Sequence, residues 1–240
     1  AAAAVAPLAR RRAGRPRAAR SASDEDRLLK LVGEFPEDYD PDDVQEVVQA
    51  CKRLRGVPRD AFRQFVGSWR VEWSSDDGRL WGSGADVSLR PKSFGALPAV
   101  SVRLLGAYSR VLDGGEYQAL DVFAVPGAEG GARAALVLAG SWSAGGSGGE
   151  WGRGAPRARC GTRPRAVRLA AAAGDPEASR AALEGAGLGG CLEPRDVGAG
   201  AAATYVDIDY VSAAVCVTRD ESGTVKVLTR LSEAVPFDLE

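Results

Sequence analysis

The residue types that most often carry catalysis are scarce in this chain of 240 residues. It contains no histidine, which excludes catalytic triads and dyads with an imidazole base, as well as zinc sites with histidine ligands. None of its four cysteines belongs to a Cys-x-x-Cys pair of the zinc-ribbon or thioredoxin type: Cys51, Cys160, Cys191 and Cys216. We expect these thiols to be buried and unreactive, and a redox-sensitive disulfide is the alternative.

Two other patterns bear on chemistry. Asp207 and Asp209 alternate along one predicted strand and could form a carboxylate pair, although such alternation is more typical of a solvated strand face. The glycine-rich stretch from Gly145 to Gly149 lacks the Lys-Ser/Thr pair and the strand–helix setting of a phosphate-binding loop. The sequence therefore predicts a protein that is not an enzyme, with no catalytic residue, no metal site and no cofactor.

Charge divides the chain into a basic leader and an acidic body. Residues 1–23 carry six arginines and no acidic residue, and they end in Ser21 and Ser23, which is the composition of an organelle transit peptide. Of the 31 basic and 32 acidic residues of the whole chain, the body keeps 25 basic and all 32 acidic ones. We therefore expect a leader that is removed or disordered, followed by a body that does not bind nucleic acid.

The segment 24–60 predicts two amphipathic helices. The first begins at Asp24–Asp26, and the chain is broken between Pro36 and Pro41. The second begins at about Asp42, with acidic residues in its first turn and basic residues in its last. Because the exposed faces are acidic rather than basic, we expect these helices to cover a sheet and not to bind a membrane surface.

Residues 61–240 predict one β-domain. From Phe65 onward, apolar and polar residues alternate in about eight short stretches, separated by turn signals such as Asp113-Gly114-Gly115. An antiparallel sheet of this kind closes into a barrel, which removes unpaired edges and encloses an apolar interior. The chain ends in a predicted hairpin, with strands Tyr210–Arg219 and Thr224–Leu231.

Two excursions interrupt this β-domain. The stretch 143–166 is rich in glycine and arginine and predicts a long flexible loop. The stretch 175–184 predicts a short helix with Asp175 as its N-cap and Pro176 at its first position. A glycine-rich segment then continues to about residue 200.

Two motifs lie at the ends of the domain. Gly67-Ser68-Trp69 enters an alternating strand, and a Gly-x-Trp in this position is the opening motif of lipocalin-like barrels, in which the indole plugs the bottom of the lumen. The C-terminal stretch resembles the end of the plastid lipid-associated (fibrillin) family, and its matching positions are Tyr210, Val215, Val217, Thr218, Arg219, Gly223, Val225, Val227, Leu228 and Arg230. The resemblance covers roughly residues 25–231. The predicted fold is therefore mainly β, a lipocalin-like antiparallel barrel preceded by two amphipathic N-terminal helices.

The resemblance implies a non-catalytic plastid protein, peripheral to the thylakoid membrane or a plastoglobule, that binds a hydrophobic small molecule or membrane lipid. We expect the apolar lumen to be lined by Trp69, Val71, Trp73, Leu104, Val122, Leu138, Tyr210 and Val217. We expect Arg219 to contact a polar headgroup. An arginine cluster is expected to face anionic lipid: Arg153, Arg157, Arg159, Arg163 and Arg165.

Two alternatives remain. In the first, the barrel is filled by its own side chains and the protein is a structural or assembly subunit docked on a photosynthetic membrane complex. In the second, the barrel is a lipocalin-like enzyme that modifies a pigment, with Asp207 and Asp209 as its candidate groups.

Overall fold

The computed structural model describes residues 17–54, 56–76, 86–89, 100–128, 131–145, 158–172, 175–197 and 204–232. The helices within these ranges are α1 (Arg17–Gly33), α2 (Pro41–Arg53), α3 (Ala61–Phe65) and α4 (Pro176–Gly185), and a 3-10 turn spans Gly189–Cys191. The strands are β1 (Gly67–Ser74), β2 (Asp86–Leu89), β3 (Val100–Val111), β4 (Glu116–Ala124), β5 (Arg133–Gly145), β6 (Ala158–Ala171), β7 (Arg195–Asp196), β8 (Thr204–Val211), β9 (Val215–Asp220) and β10 (Val225–Arg230).

Eight of these strands form a closed antiparallel barrel, in the order β1, β10, β9, β8, β6, β5, β4 and β3. The barrel closes because β1 pairs with β10 along one edge and with β3 along the other. Strand β2 pairs with the start of β3, and β7 pairs with β6 beyond the point where β8 leaves it. The predicted mainly-β fold, an antiparallel barrel preceded by helices, is confirmed.

The inner face of the barrel is identified by contacts that cross it. Cross-strand partners share a face, so Trp69 and Val71 of β1 lie on the same side as Leu228 of β10. Phe65 of α3 stacks on Trp69, while the neighbouring Phe62 stacks on Trp142 of β5. Because β3 and β4 separate β1 from β5, one short helix reaches both indoles only by lying across the end of the barrel.

Helices α1 and α2 cover the outer face of β1 and β8–β10. The polar N-terminus of α2 is fixed by a capping box, in which the Asp40 carboxylate accepts from the backbone N–H of Asp43 and the Asp43 carboxylate accepts from that of Asp40. One apolar stripe from each helix packs on the strands in a single buried cluster with Leu28, Val32, Val47 and Cys51 among its members. This confirms that the two predicted helices pack on the sheet.

The predicted start of the first helix is wrong. Helix α1 begins at Arg17, inside the stretch expected to be a disordered leader, so residue 24 is not a structural boundary. Alanine and arginine are strong helix formers, and they extend the helix backward from the apolar positions that pack on the barrel. Residues 1–16 lie outside the described part of the chain.

Helix α4 is confirmed with the predicted cap. The Asp175 carboxylate accepts from the backbone N–H of Ala178, and Pro176 occupies the first turn. The helix and the 3-10 turn bury Leu183, Leu188 and Cys191 against the inner face of β3–β6, at the end of the barrel opposite Trp69.

The long loop predicted over 143–166 is wrong for the residues that the structure describes. Residues 143–145 belong to β5 and residues 158–166 to β6, and these two strands are paired with each other as far as Gly145 and Arg159. Glycine and arginine occur in paired strands here because the arginines project outward and one is held by an ion pair. Residues 146–157 lie outside the described ranges.

The predicted final hairpin is also corrected at its first strand. The stretch from Tyr210 to Arg219 is not one strand, because β8 ends at Val211 and β9 begins at Val215. Between them the Ser212 hydroxyl accepts from the backbone N–H groups of Ala214 and Val215, and this turn reverses the chain. The hairpin of β9 and β10 is confirmed.

A candidate ligand site in the barrel lumen

The lumen has a closed floor built around Trp69, which is fully buried. The Trp69 Nε1–H donates to the carbonyl of Phe65 at 2.7 Å, so the indole is tied to the end of α3. Arg230 of the last strand lies over the indole, with its guanidinium carbon 4.1 Å from the ring centroid. An aromatic side chain thus lies between the helix and a cation, with its only polar atom satisfied.

Arg230 also holds the chain that enters the barrel. Its guanidinium donates to the carbonyls of Gln64 and Val66 at the end of α3, the latter at 2.9 Å, and to the carbonyl of Ala213 at 2.9 Å. These are carbonyls that helix and turn geometry leave without partners. Burial lowers the pKa of Arg230, but the ordinary pKa of arginine is so far above neutral pH that the side chain stays charged.

Gly67 of the predicted Gly-x-Trp motif is required by this arrangement. Its backbone φ is +140°, a conformation that other residues rarely adopt, and a Cβ placed there would collide with the Arg230 guanidinium. The motif therefore acts locally: glycine lets the arginine approach, and the arginine covers the tryptophan.

Above this floor the inner face carries an acid and a base. Asp121 of β4 pairs in register with Ala107, which pairs with the inward Val71. Lys226 of β10 lies two residues before the inward Leu228 and therefore shares its face. Lys226 lowers the pKa of Asp121 although β1 and β3 separate their strands, and it also lowers the pKa of Asp220 at the end of β9.

Both charged side chains remain exposed to solvent although they point inward. Surrounding protein atoms nevertheless raise the pKa of Asp121 by desolvation, while Lys226 opposes this shift. An inward carboxylate that is accessible to water yet surrounded by protein lies in a wet recess. The barrel is therefore not filled by side chains at this level.

Two buried hydroxyls on the same face have no hydrogen-bond partner within the described part of the chain. Ser74, 1 % exposed, is the register partner of Lys226, and Ser109 is the register partner of Trp69. A buried hydroxyl without a partner costs about 1–3 kcal/mol, so these two groups lower the stability of the folded barrel.

Four of the predicted lumen residues lie on the inner face. Trp69 and Val71 form part of the floor, and Leu104 lies under α4. Leu138 is half-buried, between the floor and α4, and it pairs in register with Val167 of β6. Leu138 is therefore placed to line the recess, whereas Trp69 is fully covered.

The other four predicted lumen residues lie on the outer face, so their assignment to the lumen is wrong. A bulge between Val71 and Trp73 turns Trp73 outward under α1 and α2, where Tyr210 and Val217 also lie. A second bulge, between Ile208 and Tyr210, shifts the alternation of β8. Val122 is outward because its neighbour Asp121 is inward, and it packs with Leu120 and other outer residues.

Four of the predicted headgroup and lipid arginines are among the described residues, and these lie on the outer surface: Arg159, Arg163, Arg165 and Arg219. Arg219 donates twice to the Asp209 carboxylate, at 2.9 and 3.0 Å, and Arg159 makes a bidentate pair with Asp207. Their charges are therefore matched within the protein. The exposed arginines of the predicted patch are Arg163 and Arg165, while Arg153 and Arg157 lie outside the described residues.

These pairs also place Asp207 and Asp209, the candidate groups of the enzyme alternative. Each is held by an arginine outside the barrel, away from the recess.

All four cysteines are buried and free. Burial raises the pKa of Cys51 to about 12 and that of Cys160 to about 11, which disfavours the reactive thiolate.

Sequence reasoning missed Asp121 and Lys226. Each stands between apolar neighbours on its strand, and such a pattern normally indicates a charged residue that faces outward. Both faces of these strands are in fact covered, so alternation alone gives the wrong side.

No protein-family model matches this chain, and neither a curated protein nor a solved structure shows significant similarity to it. Within the described ranges, none of the helices has both the length and the apolar character needed to cross a bilayer. The fold and the site thus define a closed eight-stranded antiparallel barrel with one sealed end and a wet inner recess.

Proposed function

We propose that this chain is a non-catalytic, lipocalin-like binding protein of the plastid lipid-associated type, which holds a hydrophobic small molecule inside its barrel. The observation that carries the proposal is the recess above the Trp69 floor, where inward residues remain accessible. Closed barrels of this size suit one small ligand. The enzyme alternative is less well supported, since its two carboxylates are held in ion pairs on the outer surface.

The ligand is expected to have an apolar body. Leu136, Leu138 and Ala119 lie on the inner face and are only half-buried, so they offer apolar surface that a ligand would cover. Each Å² of such surface contributes about 25 cal/mol when it leaves water. A linear isoprenoid, a carotenoid end or an acyl chain would make this contact with few polar partners.

The proposed location is the plastid, with the barrel peripheral to a thylakoid membrane or plastoglobule. The support is the arginine-rich, acid-free composition of residues 1–23 and the family resemblance of the C-terminal hairpin. Import of the full chain, fused to a fluorescent protein, into isolated chloroplasts is the expected result. A fusion that stays outside the plastid would contradict this location.

Ligand binding is tested with N-phenyl-1-naphthylamine, an uncharged apolar dye that brightens in dry surroundings. We expect saturable binding to the wild-type chain, and displacement by plastid isoprenoid lipids. Leu138→Arg places a charge in the recess and should weaken dye binding by roughly tenfold or more, because an unpaired charge is costly there.

The matched control is Ala139→Arg, one residue along the same strand and on the outer face. It should leave dye binding within about twofold of wild type, since surface substitutions rarely perturb a distant site. Leu138→Phe, which fills the recess without adding charge, separates occlusion from misfolding when compared by thermal unfolding. Equal dye binding by all four proteins would refute a ligand site in the lumen.

A further inference from the structure

We infer that the outer face of strands β3–β6 docks this protein on a membrane surface that carries anionic lipid. The inference rests on the proposed peripheral location and names the surface that makes the contact. The arginine face is defined by five arginines that form no ion pair within the described ranges: Arg103, Arg110, Arg133, Arg163 and Arg165. Four of them are exposed, and Arg110 is half-buried.

Strand register brings these side chains to one wall of the barrel. Arg103 of β3 and Arg133 of β5 both pair with Ala124 of β4, so the two arginines share a face. That face is the outer one, because Ala124 follows the inward Phe123. Adjacent strands lie about 4.8 Å apart, so the two arginines project about 10 Å from each other. Arg163 projects outward from β6, on the far side of β5.

The charge of this wall is unbalanced. Seven arginines of β3–β6 point outward, whereas Glu116 is the one outward acid among the residues of these strands. Asp207 neutralises Arg159 from the neighbouring strand β8. Three further acids border the wall: Asp86 opposite Arg103, Asp113 after the end of β3, and Asp196 opposite Ala166. The wall keeps a positive charge even when all of these acids are counted against it.

The opposite side of the barrel is acidic. Helices α1 and α2 cover β1 and β8–β10, which lie across the closed sheet from β3–β6. Residues 24–53 carry ten acidic and four basic residues. A flat anionic surface attracts the arginine face and repels the helices, so it holds the protein in one orientation. A nucleic acid that wraps around the barrel would meet both sides, and this favours a membrane.

The contact is made by charge and not by insertion. Leu120 and Val137, which pair with each other between the arginines, are buried and offer no apolar surface to lipid. Each arginine near an anionic membrane strengthens binding roughly fivefold, and salt screens this attraction. Binding is therefore expected to be reversible and strongly dependent on salt.

Vesicle flotation of the full chain measures this binding, with phosphatidylcholine vesicles that contain or lack phosphatidylglycerol. The wild-type chain is expected to bind the anionic vesicles roughly tenfold or more tightly, and to leave them in about 1 M salt. Arg133→Gln combined with Arg163→Gln should weaken binding roughly 25-fold, since each change removes about a factor of five. Arg103→Gln combined with Arg165→Gln should have the same effect, and it replaces the first pair if that pair unfolds.

Lys52→Gln combined with Arg53→Gln is the matched control, because it removes the same charge from the exposed end of α2 on the opposite side. It should leave vesicle binding within about twofold of wild type. Residues 1–23 carry six arginines that also attract anionic lipid, but they are the same in every variant and do not affect the comparison.

Equal losses in the two double variants would assign the binding to net charge and overturn the inference. A wild-type chain that binds duplex DNA in place of the vesicles, or that only self-associates at low salt, would also overturn it. Binding of N-phenyl-1-naphthylamine by the same preparations tests the proposed ligand site separately. If the dye binds and the vesicles do not, the docking surface is refuted and the ligand site stands.

Discussion

Replacing Arg230 tests whether the floor of the barrel is held together as described. Arg230→Ala removes the donors to the carbonyls of Gln64, Val66 and Ala213, and it removes the cation over Trp69. The bond to Ala213 is the most exposed, and water can replace it. The other two hydrogen bonds are part-buried and contribute about 1 kcal/mol each, and the cation over the ring adds about 1 kcal/mol. The expected loss in free energy of unfolding is about 3 kcal/mol.

The measurement is urea unfolding followed by far-ultraviolet circular dichroism, because the variant also changes the surroundings of a tryptophan. Arg230→Lys keeps the charge over the ring but loses the planar fork that reaches several carbonyls, so about half of the loss is expected. Arg163→Ala, an exposed arginine on the outer face of β6, is the control and should change the free energy by less than about 0.5 kcal/mol.

A loss below about 1 kcal/mol for Arg230→Ala, or a loss equal to that of the Arg163 control, would show that the floor does not depend on the guanidinium. Equal stability of the Lys variant and the wild type would leave the charge as the cause and refute the role of the carbonyl bonds.

Three further results are expected. Gly67→Ala should lower the free energy of unfolding by about 2 kcal/mol or more, and its cost should shrink when Arg230→Ala is also present, since the guanidinium is the colliding group; full additivity in urea melts would contradict this. The raised pKa of Asp121 means that its ionised form destabilises the folded protein at pH values above that pKa, whereas the protonated form below the unfolded value of 3.8 carries no such cost. Asp121→Asn should therefore be more stable than wild type at pH 7 and lose that advantage as the pH falls toward 3.8. An advantage that grows in acid would contradict this reasoning. With the pKa of Cys51 raised to about 12 and that of Cys160 to about 11, a disulfide reagent should label the native thiols far more slowly than the unfolded ones at pH 8; similar rates would show that the thiols are accessible.

Local signals in the sequence predicted local structure well. The acidic start and basic end of α2 gave its position to within a few residues, and Asp175-Pro176 marked the start of α4. The Gly-x-Trp motif predicted the side on which Trp69 lies. In each case the interactions that decide the structure join residues close together in the sequence, so the residue types alone indicate them.

Features that depend on pairing across the barrel were not predictable in the same way. One extra residue in a bulge reverses every later side chain, so Trp73 and Tyr210 were assigned to the wrong face although their strands were recognised. Arg159 lies in a strand that is paired on both sides and forms an ion pair with Asp207, and no local pattern in the sequence indicates that pair. The placement of Asp121 and Lys226 on one inner face requires the whole closed sheet.

The position of α4 has a consequence for kinetics. The end of the barrel at Trp69 is closed by packed side chains, so the proposed ligand would enter and leave at the opposite end, where Leu183 and Leu188 lie on part of the inner face. Arrival and departure then follow the same route. Because α4 lies beside this route, the rates of binding and release are expected to change together when its packing is altered.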